Sequence, residues 1–250
     1  MKMSGNTVLI TGGTRGIGLG LAVALNEHGN RVIFTGRSQS DIDEIISEHP
    51  GLSGVVLDAT DPASVTLLAG KMRAAFPELN VITANAGISR PESITADDWT
   101  GSDAEDIIQT NILGVVRVVA AFMPQLRNQP DAVMMATSSA LAFIPLASFP
   151  TYCASKAFLH SWLTSLRHQL RNSAVEVLEL SPPYMQTALT GSRQSEDPRA
   201  MPVDEYVRKV MIKLGQGDHP RGEILLEQDY ARRWPERDGH YDAIFAQMNP

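Results

Sequence analysis

The chain has 250 residues, 43% of them hydrophobic, which suits one α/β domain with a full core better than two small ones. Its net charge of −7 and scattered arginines argue against a nucleic-acid binder or an anionic-membrane binder. The single cysteine, Cys153, excludes an internal disulfide and a cysteine-cluster metal site, and the six dispersed histidines show no ligand spacing, so no metal is expected.

The first predicted strand covers residues 7–11. The apolar run there is too short for a signal peptide or a membrane span, so a cytoplasmic protein is expected. The strand ends in Thr11-Gly12-Gly13-Thr14-Arg15-Gly16-Ile17-Gly18, and a helix is predicted over 18–28. Gly12 permits a sharp turn, Gly16 lets a phosphate-bearing ligand approach the backbone, and Gly18 allows the helix to pack closely on the strand. The helix N-terminus offers free N–H groups and a positive dipole end to a pyrophosphate. The spacing is G-x-x-x-G-x-G rather than the common G-x-G-x-x-G.

A second strand, 31–35, leads to Gly36-Arg37-Ser38. An NAD site usually has an acid here to hold the ribose hydroxyls. This chain has Arg37 instead, and Arg15 lies inside the glycine turn. Two guanidinium groups suit a 2′-phosphate, which points to NADP(H). Asp41 and Asp43 read as first-turn residues of a helix over 41–48. The third strand, 54–57, precedes Asp58 and Ala59. Asp58 could accept a hydrogen bond from an adenine amino group, or simply form a loop turn. Asp61-Pro62 reads as an N-cap followed by proline at the first position of a helix over 63–76. The fourth strand, 80–84, runs into Asn85-Ala86-Gly87. These small residues sit at the carboxyl edge of the sheet, where ligands of such folds bind, although an ordinary turn would also explain them.

A helical pattern over 104–127 carries Asn111 among Ile, Leu and Val. A buried Asn needs partners. It could bond the backbone of its own helix and distort it, or organise water near an active site. The fifth strand, 132–137, gives way to Ser138 and Ser139, and a hydroxyl there could hold a substrate carbonyl. A helix over 152–171 opens with Tyr152-Cys153-Ala154-Ser155-Lys156, which places Tyr152 and Lys156 on one face a turn apart. A phenol titrates near ~10, and a neighbouring lysine cation favours the phenolate, so the pair makes a tunable general acid/base. Cys153 has no histidine placed to activate it and is not read as a nucleophile. His160 and His168 read as structural or surface residues. A sixth strand, 175–180, is followed by a polar loop over 187–202, which is either a lid or a plain surface excursion. A helix (203–214), a strand (223–226) and a final helical segment close the chain. The alternation predicts a single-domain doubly wound parallel sheet, a Rossmann fold with helices on both faces and buried strands.

Taken together, these residues resemble the short-chain dehydrogenase/reductase family over essentially the whole chain. Within it the chain is most similar to the bacterial DltE-like reductases, through Leu141-Ala142-Phe143-Ile144-Pro145-Leu146, Tyr152-Cys153-Ala154-Ser155-Lys156-Ala157, Leu166-Arg167-His168-Gln169-Leu170 and a Met-Asn ending. The resemblance implies that Tyr152 donates and accepts the proton. Lys156 would lower its pKa and hold the nicotinamide ribose, Ser139 would orient the carbonyl, and Asn111 would support a water relay toward Lys156. Thr187 would hold the cofactor's carboxamide, with Pro182 beside it. One departure is Pro182-Pro183 where the family usually has Pro-Gly; the second proline removes a backbone donor and stiffens the turn. The implied activity is NADPH-dependent reduction of a carbonyl compound, reversible to alcohol oxidation, by a homodimer or homotetramer. Residues 140–146 with Phe149, Tyr184 and Leu189 would make an apolar wall, which suits a small apolar ketone or aldehyde. The alternative of another class is a catalytically silent NADP(H)-binding regulatory protein on the same fold. The intact set of Asn111, Ser139, Tyr152 and Lys156 argues against it.

Overall fold

Seven runs of extended chain pair in parallel: β1 (Thr7–Ile10), β2 (Arg31–Gly36), β3 (Ser53–Val56), β4 (Val81–Ala84), β5 (Ala132–Thr137), β6 (Val175–Ser181) and β7 (Glu223–Leu225). They form one sheet in the order β3-β2-β1-β4-β5-β6-β7. The computed structural model describes residues 1–217, 219 and 221–250.

Side chains alternate across each strand, so each strand feeds two cores. Val8, Ile10, Val32 and Phe34 face Leu21, Leu25, Ile42, Tyr206 and Val210. These come from α1 (Gly16–Glu27), α2 (Gln39–Glu48) and α8 (Val203–Gln216). Leu9, Ile33, Ile82 and Met134 face the other way, toward Leu68, Met72, Val118, Phe122, Leu159 and Leu163. Those belong to α3 (Pro62–Ala75), α5 (Val115–Leu126) and α6 (Pro150–Gln169). Both faces of the central strands are therefore covered, which is why their sequences are almost continuously apolar. β3 departs from the expectation of a buried strand. It is an edge strand, and Ser53 and Val56 are exposed.

The predicted helix over 104–127 is one continuous helical rod with a change of pitch. α4 (Ser102–Ile107) passes into a π-helical stretch, Ile108–Gly114, before α5 begins. π-Turns of this kind mark functional sites more often than plain helix does, and Asn111 sits at the centre of this one. By length and composition the rod Ser102–Leu126 could cross a membrane; here Val115, Val118, Val119 and Phe122 on its inner face are buried in the second core. The remaining described helices are short: α7 (Ser192–Ser195), α9 (Tyr230–Arg233) and α10 (Tyr241–Met248).

Gly18 is where α1 meets the sheet. A Cβ there would collide with the Gly12 carbonyl oxygen and lie 2.5 Å from Asn85 Nδ2, both held by the strand ends. Gly18→Ala is therefore expected to destabilise the protein by about 1–3 kcal/mol, as overpacking does. Urea unfolding should show a lower midpoint with an unchanged slope.

Candidate active site

The chain leaves β1 toward β2 on one side and returns to β4 on the other. That reversal opens a crevice at the carboxyl ends of the strands. Asn85, just after β4, closes the floor of this crevice. Its Nδ2 donates to the carbonyls of Thr11 (3.2 Å) and Gly12 (3.1 Å), and its Oδ1 accepts from Thr137 Oγ1 (3.1 Å). The Thr11 hydroxyl in turn accepts from the backbone N–H groups of Asn85 (3.0 Å) and Ala86 (3.1 Å). Gly12 turns with φ of +67°, and a Cβ there would lie 2.8 Å from Ala86 Cα, so only glycine fits. Arg15 caps α1 without a side-chain hydrogen bond, and Gly16 follows with φ of +57°. The bare backbone and the helix N-terminus leave the room and the donors that a pyrophosphate needs.

Of the residues expected to hold the cofactor or carry out the reaction, all except Asn111 line one cleft of about 1870 Å³. Gly12, Thr14, Arg15, Gly16, Ile17 and Gly18 make one end, together with Arg37, Asp58 and Ala59. Asn85, Ala86 and Gly87 lie at the floor, and Ser139, Tyr152, Lys156, Pro182 and Thr187 at the other end. Asp58 works as a turn residue: its Oδ1 accepts from Thr60 N (2.8 Å) and Thr60 Oγ1 (2.7 Å). The Thr60 hydroxyl is the main reason its carboxyl is held below the usual range, and the Arg37 charge adds to it.

Asn111 is fully buried behind the wall of the cleft. Its Oδ1 accepts from Ile88 N (2.9 Å), and its Nδ2 donates to Ile88 O (2.9 Å) and Ser155 Oγ (3.1 Å). Ser155 Oγ donates on to the Tyr152 carbonyl at 2.7 Å. The helix around Asn111 is distorted as expected, but the partners are the loop after β4 and α6, not the carbonyls of its own helix. A Cβ on Gly87 would lie 3.3 Å from Asn111 Oδ1 and 3.6 Å from Lys156 Nζ, so Gly87 leaves the two side chains open to the same space.

Tyr152 and Lys156 stand one turn apart on α6, both buried. Lys156 Nζ donates to Thr137 O at 2.8 Å and lies 5.6 Å from the Tyr152 ring centroid. Burial pushes the phenol up to about 12, opposed by the adjacent Ser139 hydroxyl. Burial also pulls Lys156 down to about 8, opposed by the charge of Glu179. The net shift of the phenol is upward: desolvation dominates it, and the group that opposes it is Ser139. Cys153 is buried, accepts from Leu146 N (3.3 Å), and has its thiol pushed up by burial, which agrees with its exclusion as a nucleophile.

The substrate end of the cleft is framed by residues 140–149. Leu141, Leu146 and Phe149 line it, with Tyr184 and Leu189 opposite. Four residues expected in this wall do not line it: Ala142, Phe143, Ile144 and Pro145. Ile144 is fully buried, and the Phe143 ring packs edge-on against His160, centroids 5.1 Å apart. The segment is pinned from both sides. Glu92 accepts from Thr151 N (2.9 Å) and Thr151 Oγ1 (3.0 Å), while Asn249 accepts from Ala147 N (2.5 Å) and donates to Pro145 O (3.2 Å). This holds Met248, part of the Met-Asn ending, in the cleft wall. The loop over 187–202 is a stitched flap. Gln186 N donates to Met201 O and Met201 N to Tyr184 O, both at 2.8 Å. Gln194, buried within it, donates to Met185 O (2.9 Å). Thr187, Leu189 and Arg199 reach the cleft from this flap.

A glycine turn at the switch point of a parallel sheet, facing a buried Tyr–Lys pair across one cleft, places the chain in the doubly wound α/β class. The chain belongs to the short-chain dehydrogenase family, whose model matches residues 6–198. It is 39% identical over 252 residues to the uncharacterized oxidoreductase DltE of Bacillus subtilis (strain 168), covering 100% of this chain and 98% of that one. It is 30% identical to the 3-oxoacyl-[acyl-carrier-protein] reductase FabG of Escherichia coli (strain K12), over 80% of this chain and 81% of the other. Among solved structures, a short-chain dehydrogenase from Burkholderia cenocepacia J2315 in complex with NADP superposes with a TM-score of 0.83 at 24% identity, over 99% of each chain. A short-chain dehydrogenase/reductase from Burkholderia phymatum in complex with NAD gives 0.81 at 20% identity, over 100% of this chain and 98% of that one.

Lys156 titrating near 8 has a measurable consequence. An unfolded lysine holds its proton to about 10.4. Between the two values the unfolded chain binds more protons, so burial of Lys156 costs stability below about pH 8 and the cost fades as pH rises toward 10.4. With 13C-labelled lysine, one of the five lysines should titrate near pH 8 in the ligand-free protein, and that transition should be missing in Lys156→Met.

Proposed function

We propose that this protein is an NADPH-dependent carbonyl reductase, reversible to alcohol oxidation, that acts on a small apolar ketone or aldehyde. The observation that carries the reading is the buried Tyr152 phenol beside Ser139, with Lys156 a turn behind it in the same cleft. The backbone of residues 12–18 and the α1 N-terminus would hold the pyrophosphate of the dinucleotide. Asn85, Ala86 and Gly87 would lie along its ribose, and Lys156 and Thr187 would flank the nicotinamide end. A bound nicotinamide supplies the hydride for reduction and accepts it for oxidation. Ser139 orients the substrate carbonyl toward Tyr152. Tyr152, protonated up to about pH 12, is ready to give its proton to a developing alkoxide, a stronger base than phenolate. Asn111 holds the Ile88 backbone and, through Ser155, the first turn of α6, which keeps the proton path to Lys156 in register.

NADPH is favoured by the absence of an acid after β2 and by Arg15 and Arg37 at that end of the cleft. The apolar substrate is supported by Leu141, Leu146, Phe149, Leu189 and Met248. Three of the cleft's arginines are already paired: Arg90 with Asp103 (2.6 Å) and Asp106 (2.8 Å), Arg199 with Asp197 (2.7 Å), and Arg232 with Asp229 (3.5 Å). A location in the cytoplasm is part of the same reading and rests on the single free thiol. So is a homo-oligomer. Ile108 and Leu113 on the π stretch and Phe158 on α6 are exposed, an apolar strip that a second copy would cover.

The test is a panel of ketones, aldehydes and anionic carbonyl compounds assayed by nicotinamide absorbance. Apolar ketones or aldehydes should give the higher kcat/KM, and Tyr152→Phe should lose roughly 10²–10⁴-fold in kcat with NADPH affinity retained. Turnover near wild type in that variant would overturn the reading. In steady-state kinetics with both cofactors, Arg37→Asp combined with Arg15→Ala should weaken NADPH and improve NADH relative to it. A wild-type preference for NADH would contradict the assignment. Light scattering at micromolar concentration should return a multiple of the monomer mass.

A further inference from the structure

Glu179 stands in the middle of β6 with no exposed surface, in a strand of Val and Leu. A buried carboxylate is costly unless it is bonded and paired. Both of its oxygens are engaged. Oε1 accepts from Ser138 Oγ at 2.5 Å and from Ser181 Oγ at 3.4 Å, and Oε2 faces His160 Nδ1 at 2.9 Å. All three partners can donate, which is the surrounding of an acceptor-only carboxylate.

Its position relative to the reaction centre follows from two periodicities. Tyr152, Lys156 and His160 are four residues apart in succession, so they form one stripe along α6. Opposite them the chain presents Thr137, Ser138 and Ser139. Tyr152 is matched with Ser139, and Lys156 bonds the Thr137 carbonyl. His160 reaches Ser138 through Glu179. Lys156 is only 4% exposed, and the partner of its ammonium is a neutral carbonyl. Glu179 is the carboxylate whose field reaches it. The other charged or titratable groups around Glu179 are accounted for. His160 and Arg167 face it from α6. Arg233 of α9 also acts on it and is already bound to Glu223 of β7 at 2.8 and 2.9 Å.

We propose that Glu179 is a positioning residue for proton transfer: it anchors the Ser138–Ser139 turn and is the buried counter-charge that keeps Lys156 cationic. The proposal rests on the carbonyl-reductase reading for its role in turnover, but not for its electrostatics. Glu179→Gln keeps the size and an acceptor and removes the charge. In ligand-free protein with 13C-labelled lysine, the Lys156 transition should move down by about one pH unit or more. Glu179→Asp, which restores the charge, should bring it back toward the wild-type position. If Glu179→Gln does not fold, the coupling is read from the other side. Because linkage is reciprocal, Lys156→Met should raise the midpoint of Glu179, followed with 13C-labelled glutamate. A Lys156 transition unmoved in Glu179→Gln, or a Glu179 midpoint unmoved in Lys156→Met, overturns the proposal. With an apolar ketone, the pH profile of kcat/KM should be displaced in Glu179→Gln in the same direction as the lysine. A wild-type enzyme that turns over no carbonyl compound would count against the reductase reading and leave the NMR result standing. An active enzyme whose lysine ignores Glu179 would count against the positioning role alone.

Discussion

One amide side chain ties three strand ends together where the sheet reverses direction. Asn85 donates to both carbonyls of the β1 turn and accepts from the last residue of β5, so β1, β4 and β5 end in a fixed relation. The rest of the site is built on this clamp. It sets the height at which Gly12 must turn and fixes how near α1 can come, since Gly18 lies against Asn85 itself. It also orients Thr137, whose carbonyl receives the ammonium of Lys156. Buried polar groups left without partners are expensive, so the clamp forms as a unit or not at all. The glycine turn and the Tyr152–Lys156 pair are thereby tied to one hydrogen-bonded frame, although they lie on elements far apart in sequence.

The second organising effect is desolvation. The sequence places a phenol and an ammonium one turn apart and suggests that the ammonium lowers the phenol's pKa. In the folded protein the two are removed from water together, and the larger effect is the removal. That comparison could not be made from spacing alone, because it depends on how deeply α6 is seated. It depends as well on a carboxylate arriving from β6, a strand that meets α6 only in the folded chain.

The elements themselves were legible. Short, almost continuously apolar runs mark the strands, the glycine spacing marks the turn and helix start, and Asp61-Pro62 marks an N-cap that the structure shows, with Ala63 N donating to the carboxylate at 2.8 Å. What sequence reasoning missed has a common cause: each such feature is a polar side chain whose partner is distant in the chain. Asn85 could be read as a turn residue because its bonds go to residues more than seventy positions away. Glu179 was visible as an acid inside an apolar run, but His160 and Ser138 could not be assigned to it. Asn249 and Met248 were noticed only as a likeness to relatives. Their place in the cleft wall comes from the bonds of Asn249, just after α10, to residues 145 and 147. The apolar stretch 140–146 was read as a wall in one piece, yet a short 3-10 turn at Ala140–Ala142 rotates successive side chains, so Leu141 faces the cleft and Ile144 the core.

The π stretch around Asn111 also acts as a phase shifter. It carries about one more residue per turn than the α-helix on either side. Asn111 can therefore point at the loop after β4 while Val115, Val118 and Phe122 still land on the sheet. Were these seven residues to relax to ordinary pitch at unchanged length, everything beyond them would turn by about 100°. The inner stripe of α5 would then leave the core. Chain length in this helix is accordingly as tightly fixed as side-chain identity, and an insertion tolerated in a surface loop would not be tolerated between Ile108 and Gly114.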